Sequence, residues 1–199
     1  MSSTSNEGAI KVARHQDVTV IRLEGDVRLT LCLSFDQFIH DLFQHREQAN
    51  AKDHSVVFDL CEAESIDSTT LGLMAKIAIE GESQGARNPI VMTSSESITR
   101  LLESMGFEDV FDIVPAQAVN FEVISQQPVD KSNTSLYPID ESYHQNQSFS
   151  EVNAQSAIKR SEDAVRAKVI EAHQYLMSMN AKNHDTFKPL VEALESHGC

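Results

Sequence analysis

Two hydrophobic periods alternate along this chain, and that alternation constrains its fold more than any other feature. Short runs rich in β-branched residues give way repeatedly to apolar residues three and four apart, the pattern of strands joined by helices. "AIKVAR" (9–14) and "DVTVIRLEG" (17–25) read as two strands of a hairpin joined at "HQ". Leu33, Phe35, Phe38, Ile39 and Leu42 then recur at helical spacing, and Ser34 with Gln37 three residues on forms a capping-box signature where that helix begins. "SVVFDL" (55–60) is a continuous apolar strand of the kind buried on both faces. A second helix starts near Ser68: Leu71, Met74, Ala75 and Ala78 define its apolar face, Leu73 and Ile77 widen it, and "GESQGARNP" (81–89) supplies its stop signals. "PIVMTS" (89–94) predicts a buried strand, and "SITRLLESMG" (97–106) a helix with Ile98, Leu101, Leu102 and Met105 on one stripe and Gly106 as its cap. "DVFDIV" (109–114) and "AQAVNFEVI" (116–124) predict a last short strand and helix.

The resulting order, β-β-α-β-α-β-α-β-α, calls for an α/β domain with an at least partly parallel sheet and helices packed on it. That domain occupies residues 8–124. The next stretch, 125–150, is polar and rich in Ser, Gln and Asn, with two prolines and almost no periodicity, and reads as a flexible linker. From 151 to 199 helical composition returns. Ile158, Val165, Val169, Ala172, Leu176 and Met179 form a narrow stripe continued by Phe187, Leu190 and Leu194, with Pro189 placed to break or kink it. One helix or two satisfy this pattern. The stripe has to bury itself on the main domain, on a second copy or on a partner.

Charge narrows the function classes. Thirty acidic against 16 basic residues give a formal net charge of −14 over 199 residues, which repels phosphate backbones and anionic lipid surfaces. Neither nucleic acid nor membrane is therefore an expected partner. No stretch approaches the roughly 18 to 20 apolar residues of a membrane span, and "MSSTSNEGAI" has neither a basic nor an apolar leader region, so the expected location is cytoplasmic. Three cysteines, Cys32, Cys61 and Cys199, are odd in number and unpaired in spacing, and are expected to stay reduced. The histidines, His15, His40, His45, His54, His144, His173, His184 and His197, show no metal-ligand spacing, and no metal or other cofactor is expected. The acidic run "CEAES" (61–65) reads as an exposed loop that aids solubility or complements a basic partner.

The chemistry concentrates in "SIDSTTLGLM" (65–74), where a buried strand ends and a helix begins, at the carboxyl end of the sheet strands. Asp67 or Ser68 serves as the helix N-cap, worth roughly 1 kcal/mol. One cap needs one acceptor, whereas Asp67, Ser68, Thr69 and Thr70 are consecutive, which leaves polar groups for solvent or a partner. A phosphate on Ser68 is tolerated by the fold, since the helix N-terminus favours an anion by ~0.3–1 kcal/mol. It also adds about −1.5 to −2 charges that a partner shaped for neutral hydroxyls would have to desolvate.

Residues 8–124, about three-fifths of the chain, resemble the STAS domains of bacterial anti-sigma factor antagonists. The resemblance rests on the hairpin with "LEGDV", the buried strand, and "DSTTLGLM", which is similar to the family's D-S-S-G-L-G pattern at the start of its second helix. It implies a mixed sheet of four to five strands with helices packed on it, here with a C-terminal helical tail. It implies a non-enzymatic switch: unphosphorylated, the protein sequesters an anti-sigma factor, and phosphorylation of Ser68 releases it. The serine kinase, often the anti-sigma factor itself, and a PP2C-type phosphatase would act on Ser68. The tail is similar to an elaboration of antagonists that work with a two-component response regulator. Asp67, Ser68, Thr69, Leu71 and Gly72 stand in the matching motif positions, and Asp26 and Arg28 in the early loop complete the expected partner surface. There are two departures. Thr70 replaces the family's glycine, and Arg28 replaces a carboxylate in the G-E-hydrophobic-D loop; Arg28 is a candidate partner for a phosphate on Ser68. Two further hypotheses remain: an adaptor that exchanges an anti-sigma factor for another signalling enzyme, and a hydrolase using Ser68 with one of the histidines.

Overall fold

The computed structural model describes residues 8–15, 17–49, 54–116, 137–139 and 154–196. Strand β1 (Ala9–His15) turns into β2 (Val18–Val27), a short 3-10 turn (Leu29–Leu31) leads into α1 (Cys32–Ala49), and β3 (Ser55–Ile66) is followed by α2 (Ser68–Ser83). Next come β4 (Ile90–Thr93), α3 (Glu96–Ser104), a second 3-10 turn (Phe107–Asp109) and β5 (Asp112–Pro115). A three-residue strand β6 (Tyr137–Ile139) and two C-terminal helices, α4 (Ala154–Met179) and α5 (Ala181–Ser196), complete the order.

The sheet runs β5-β4-β3-β2-β1-β6. Strands β2 to β5 are parallel to one another, whereas β1 pairs antiparallel with both β2 and β6, so the sheet is mixed as expected. Its sixth strand lies within the stretch read as linker and pairs Ile139 with Ile10 at the edge. The expected helix over 116–124 lies outside the described residues apart from Ala116.

Residue patterning explains the layers. Along the sheet, Ile10, Val12, Ile21, Leu23, Val56, Phe58, Leu60 and Val91 join one buried cluster with Phe35, Phe38, Ile39 and Leu42 of α1 and Leu71, Leu73, Met74 and Ile77 of α2. The hairpin pairs in the expected register, Ala9 with Glu24 through His15 with Val18. Gly106, at φ 75°, takes the left-handed conformation that ends α3, the cap expected of it.

Three local expectations are corrected. Ser34 does not cap α1: the helix begins two residues earlier, after the 3-10 turn, so Ser34 is buried inside the first turn and Gln37 donates to Asp41 at 3.1 Å. The apolar spacing at Leu31 and Cys32 extends the packed stripe backwards past the capping signature. "CEAES" is not a loop but the second half of β3, pairing Glu24 with Glu62, Gly25 with Ala63 and Asp26 with Ser65 across two register shifts. Alternation continues there, with Ala63 and Ile66 buried and Glu62 and Glu64 exposed, which a composition reading mistakes for a solvated run. Finally, the C-terminal stripe breaks at Asn180 and not at Pro189, which lies inside α5. The Asn180 side chain explains the break: its Oδ1 accepts from the Asn183 N–H at 2.9 Å and its Nδ2 donates to the Met105 carbonyl at 3.1 Å.

Candidate functional site

Asp67 resolves which residue caps α2. Its backbone is extended (φ −81°, ψ 165°), and its Oδ1 accepts from the Thr70 N–H at 2.8 Å. Ser68 is therefore the first residue of the helix proper, with a hydroxyl not spent on capping. Thr70 is an ordinary first-turn residue, so the departure from glycine there costs no special backbone geometry. With the tail in place, Thr69, Thr70 and Leu71 are buried, while Asp67 and Ser68 are half-buried.

The early loop lies beside the helix start, because the Asp67 N–H donates to the Val27 carbonyl at 3.2 Å and Val27 pairs with Ile66. Asp26 accepts from Arg28 Nε at 2.6 Å and from the Ser65 hydroxyl. The hydrogen bond from Arg28, then that from Ser65, holds the Asp26 carboxyl below the usual range, and the same pairing raises the Arg28 guanidinium. Arg28 itself is largely exposed.

The C-terminal helices supply what sequence reasoning missed. α4 packs across α2 and covers a stripe at four-residue spacing, Ser68, Gly72, Lys76 and Glu80. The Ser68 hydroxyl lies 2.9 Å from His173 Nε2. His173 Nδ1 lies 2.7 Å from the Val169 carbonyl, which can only accept, so Nδ1 carries the proton and, in the neutral ring, Nε2 accepts from Ser68. The ring is 1% exposed and packs edge-on to Phe187 of α5 at 5.0 Å.

At Gly72 the two helix backbones touch. A Cβ built there would lie 2.2 Å from the Ala172 carbonyl oxygen, so only glycine permits this crossing. One turn further, Lys76 donates to Asp36 at 2.8 Å and to Glu171 at 2.7 Å, while Lys168 bridges the same two carboxylates at 2.8 and 2.6 Å. Burial alone would lower Lys76 and Lys168 and raise Asp36 and Glu171. The hydrogen bonds outweigh it, leaving both lysines raised and both carboxylates lowered, so all four are charged. Tyr175 donates to Glu80, and burial together with that hydrogen bond pushes its phenol up. Beyond α2, Asn180 and Asn183 both donate to the Met105 carbonyl at the end of α3.

Chemically, Ser68 and His173 form a hydroxyl–base pair whose base is oriented by a backbone carbonyl and not by a carboxylate. Cys32 and Cys61 are free thiols, each pushed up to about 11, first of all by burial, and so protonated at neutral pH. Among the described residues no helix is long and apolar enough to cross a membrane.

Part of this arrangement carried a sequence signal. The spacing of Ser68, Gly72, Lys76 and Glu80, set off from the apolar face of α2, marks a second face that a small-residue helix can cover. His173, by contrast, stood among eight histidines with nothing to select it.

A solved structure titled "NMR Structure of the protein TM1081" is similar at 17% identity, covering 58% of this chain and 88% of that one, with a TM-score of 0.46. No curated protein matches. The family model of the STAS domain matches residues 9–119 of the 199, from β1 to just past β5 and with α2 inside it. On that match over more than half its length, the chain belongs to the STAS domain family, whose members are typically non-enzymatic regulators.

Proposed function

We propose that this protein is a cytoplasmic, phosphorylation-switched antagonist. It binds an anti-sigma factor through the Ser68 surface when Ser68 is unmodified, and releases it when a serine kinase has phosphorylated that residue. A PP2C-type phosphatase resets the switch. One observation carries the reading: Asp67 does the capping, which leaves the Ser68 hydroxyl at the helix N-terminus on the face of α2 turned away from the sheet. An added phosphate gains there from the helix dipole and confronts a bound protein with about two negative charges. Asp67, Gly72, Asp26 and Arg28 flank the hydroxyl in sequence or across the β2–α2 junction, and Thr69, Thr70 and Leu71 set its backbone.

The test uses full-length Ser68→Ala and Ser68→Asp proteins as baits in lysate of the native host, with mass spectrometry of native Ser68. An anti-sigma factor retained by the alanine bait and lost from the aspartate bait is the expected result. A signalling enzyme held only by the aspartate bait would extend the reading to an exchanging adaptor. Identical partners with no phosphate on native Ser68 would overturn it.

The Ser68–His173 hydrogen bond favours a second reading, a hydrolase with His173 as base. A serine-reactive probe separates the two: labelling of Ser68 that is lost in His173→Ala would establish the hydrolase, and no labelling removes it.

A further inference from the structure

α2 is apolar toward the sheet, and toward α4 it adds a polar stripe beside the apolar cluster that Ala172 and Leu176 join. Ser68, Gly72, Lys76 and Glu80 would be at home in water, yet each meets a specific feature of α4: the His173 ring, the Ala172 backbone, the Glu171 carboxylate and the Tyr175 hydroxyl. α4 and α5 lie outside the residues that match the family. A polar stripe complemented group by group, by a segment additional to the domain, suits a surface that works both covered and bare.

We propose that α4 and α5 are an internal competitor for the α2 face, and that the external partner presents a helix of the same chemistry in their place. This rests on the reading of the Ser68 surface as the partner site. Gly72 sets the geometry of the occupant: with no Cβ at the crossing it admits a helix backbone in direct contact, as Ala172 now makes. The charges set its composition. Asp36 and Lys76 belong to the domain, while Lys168 and Glu171 come from the tail, so an incoming helix needs a cation and an anion one turn apart. Opposite Ser68 it needs a hydrogen-bond acceptor. In the closed form the Ser68 hydroxyl is hydrogen-bonded to a buried imidazole, so closure occupies the group that the kinase and the partner both have to reach.

Two measurements on the full chain test this. The first is native-state hydrogen exchange of the wild type. The tail, 162–180, is expected to exchange through an opening at least tenfold more frequent than the unfolding that exposes β3. Exchange of tail and β3 through one common opening would make the tail part of the core and overturn the proposal. The second uses a fluorescent synthetic peptide of residues 162–196. Full-length Ala172→Asp, whose own α4 cannot seat on Gly72, is expected to bind the peptide at least tenfold tighter than the wild type, and a peptide carrying Ala172→Asp is expected not to bind. Should Ala172→Asp fold poorly, Leu176→Asp serves as the opening variant. A chain shown open by exchange that ignores the wild-type peptide overturns the proposal. Both readouts involve this chain alone, so they succeed or fail independently of what the Ser68 baits retain.

Discussion

The two faces of α2 have opposite chemistry and opposite roles. Toward the sheet it presents Leu71, Leu73, Met74, Ala75, Ile77 and Ala78, buried in one apolar cluster with the hairpin, β3 and α1, whose margin Ala172 and Leu176 of α4 and Phe187 of α5 also join. Toward α4 it presents a serine, a glycine, a lysine and a glutamate, satisfied by hydrogen bonds, an ion-pair network and one backbone contact. Apolar burial is non-directional, and on the sheet side of α2 it is lost only when the domain unfolds. Polar complementarity is specific, and its net worth is small because water can replace each partner. The same helix thus anchors the domain on one side and carries an exchangeable surface on the other.

Truncating the anchoring face should have the largest effect. Leu73→Ala removes a side chain that is 0% exposed and should lower stability by about 2–5 kcal/mol in urea unfolding, with α2 and the sheet lost in one transition and the tail no later than it. A loss confined to the tail would show that α2 is not part of the cooperative core.

Gly72→Ala, on the other face, should separate tail from domain. Alanine is about 1 kcal/mol better than glycine inside a helix, so α2 itself gains. The new Cβ, however, meets the Ala172 backbone at 2.2 Å, where no flexible side chain can yield. The expected result is loss of exchange protection over 162–180 with the unfolding midpoint of the sheet unchanged or raised. Retained tail protection would mean that the crossing can slide, and the distinction between faces would weaken.

How much of this was legible in the sequence follows from the same distinction. The sheet-facing side of α2 was read correctly because apolar residues at helical spacing report burial directly, and the hairpin register and the Gly106 cap were legible for similarly local reasons. Ser68 and Asp67 stood out as polar excess, but which of them caps depended on backbone angles that no pattern encodes. The tail was harder. Its stripe correctly named Ala172, Leu176 and Phe187, yet Leu190 proves exposed and Val191 buried instead, because the break at Asn180 resets the helical phase. Where the stripe docks was one of three open options. Nothing in one chain links His173 to Ser68, 105 residues away, since that contact depends on how two helices cross.

Lys76→Met sharpens the comparison within the polar face. The substitution keeps the aliphatic bulk and leaves Asp36 and Glu171 sharing Lys168 alone. Docking of the tail should weaken by about 1–3 kcal/mol, read as faster exchange over 162–180. Acid should reach the same network. Asp36 and Glu171 have folded values depressed below their ordinary 3.8 and 4.5. Their contribution is therefore complete above those values and is lost as pH falls through the depressed ones. Lys76 and Lys168 are raised above 10.5, so their contribution is complete below that value and is lost as pH rises through the raised ones. Tail docking, followed by energy transfer between dyes on the domain and on α5, should hold from about pH 5 to 10 and open toward either extreme. A docking signal unchanged below pH 3 would assign the contact to packing alone.

Arg28→Ala should have the smallest effect on the folded protein, and it tests a different boundary. Arg28 is exposed and bonded to Asp26, which keeps the Ser65 hydroxyl after the substitution, so the unfolding midpoint and tail protection should both stay at their wild-type values. The loop that carries it nevertheless lies at the start of α2, held there by the Asp67 N–H on the Val27 carbonyl. A phosphate on Ser68 would offer the guanidinium a stronger acceptor than the Asp26 carboxylate, and a bidentate one. The consequence of Arg28→Ala should therefore appear only after phosphorylation, as a shift in the second phosphate ionisation followed by phosphorus NMR: loss of a nearby cation raises that value. An identical ionisation with and without Arg28 would show that the loop positions the helix start without contacting the phosphate, and would restrict the switch to α2 and the helix that covers it.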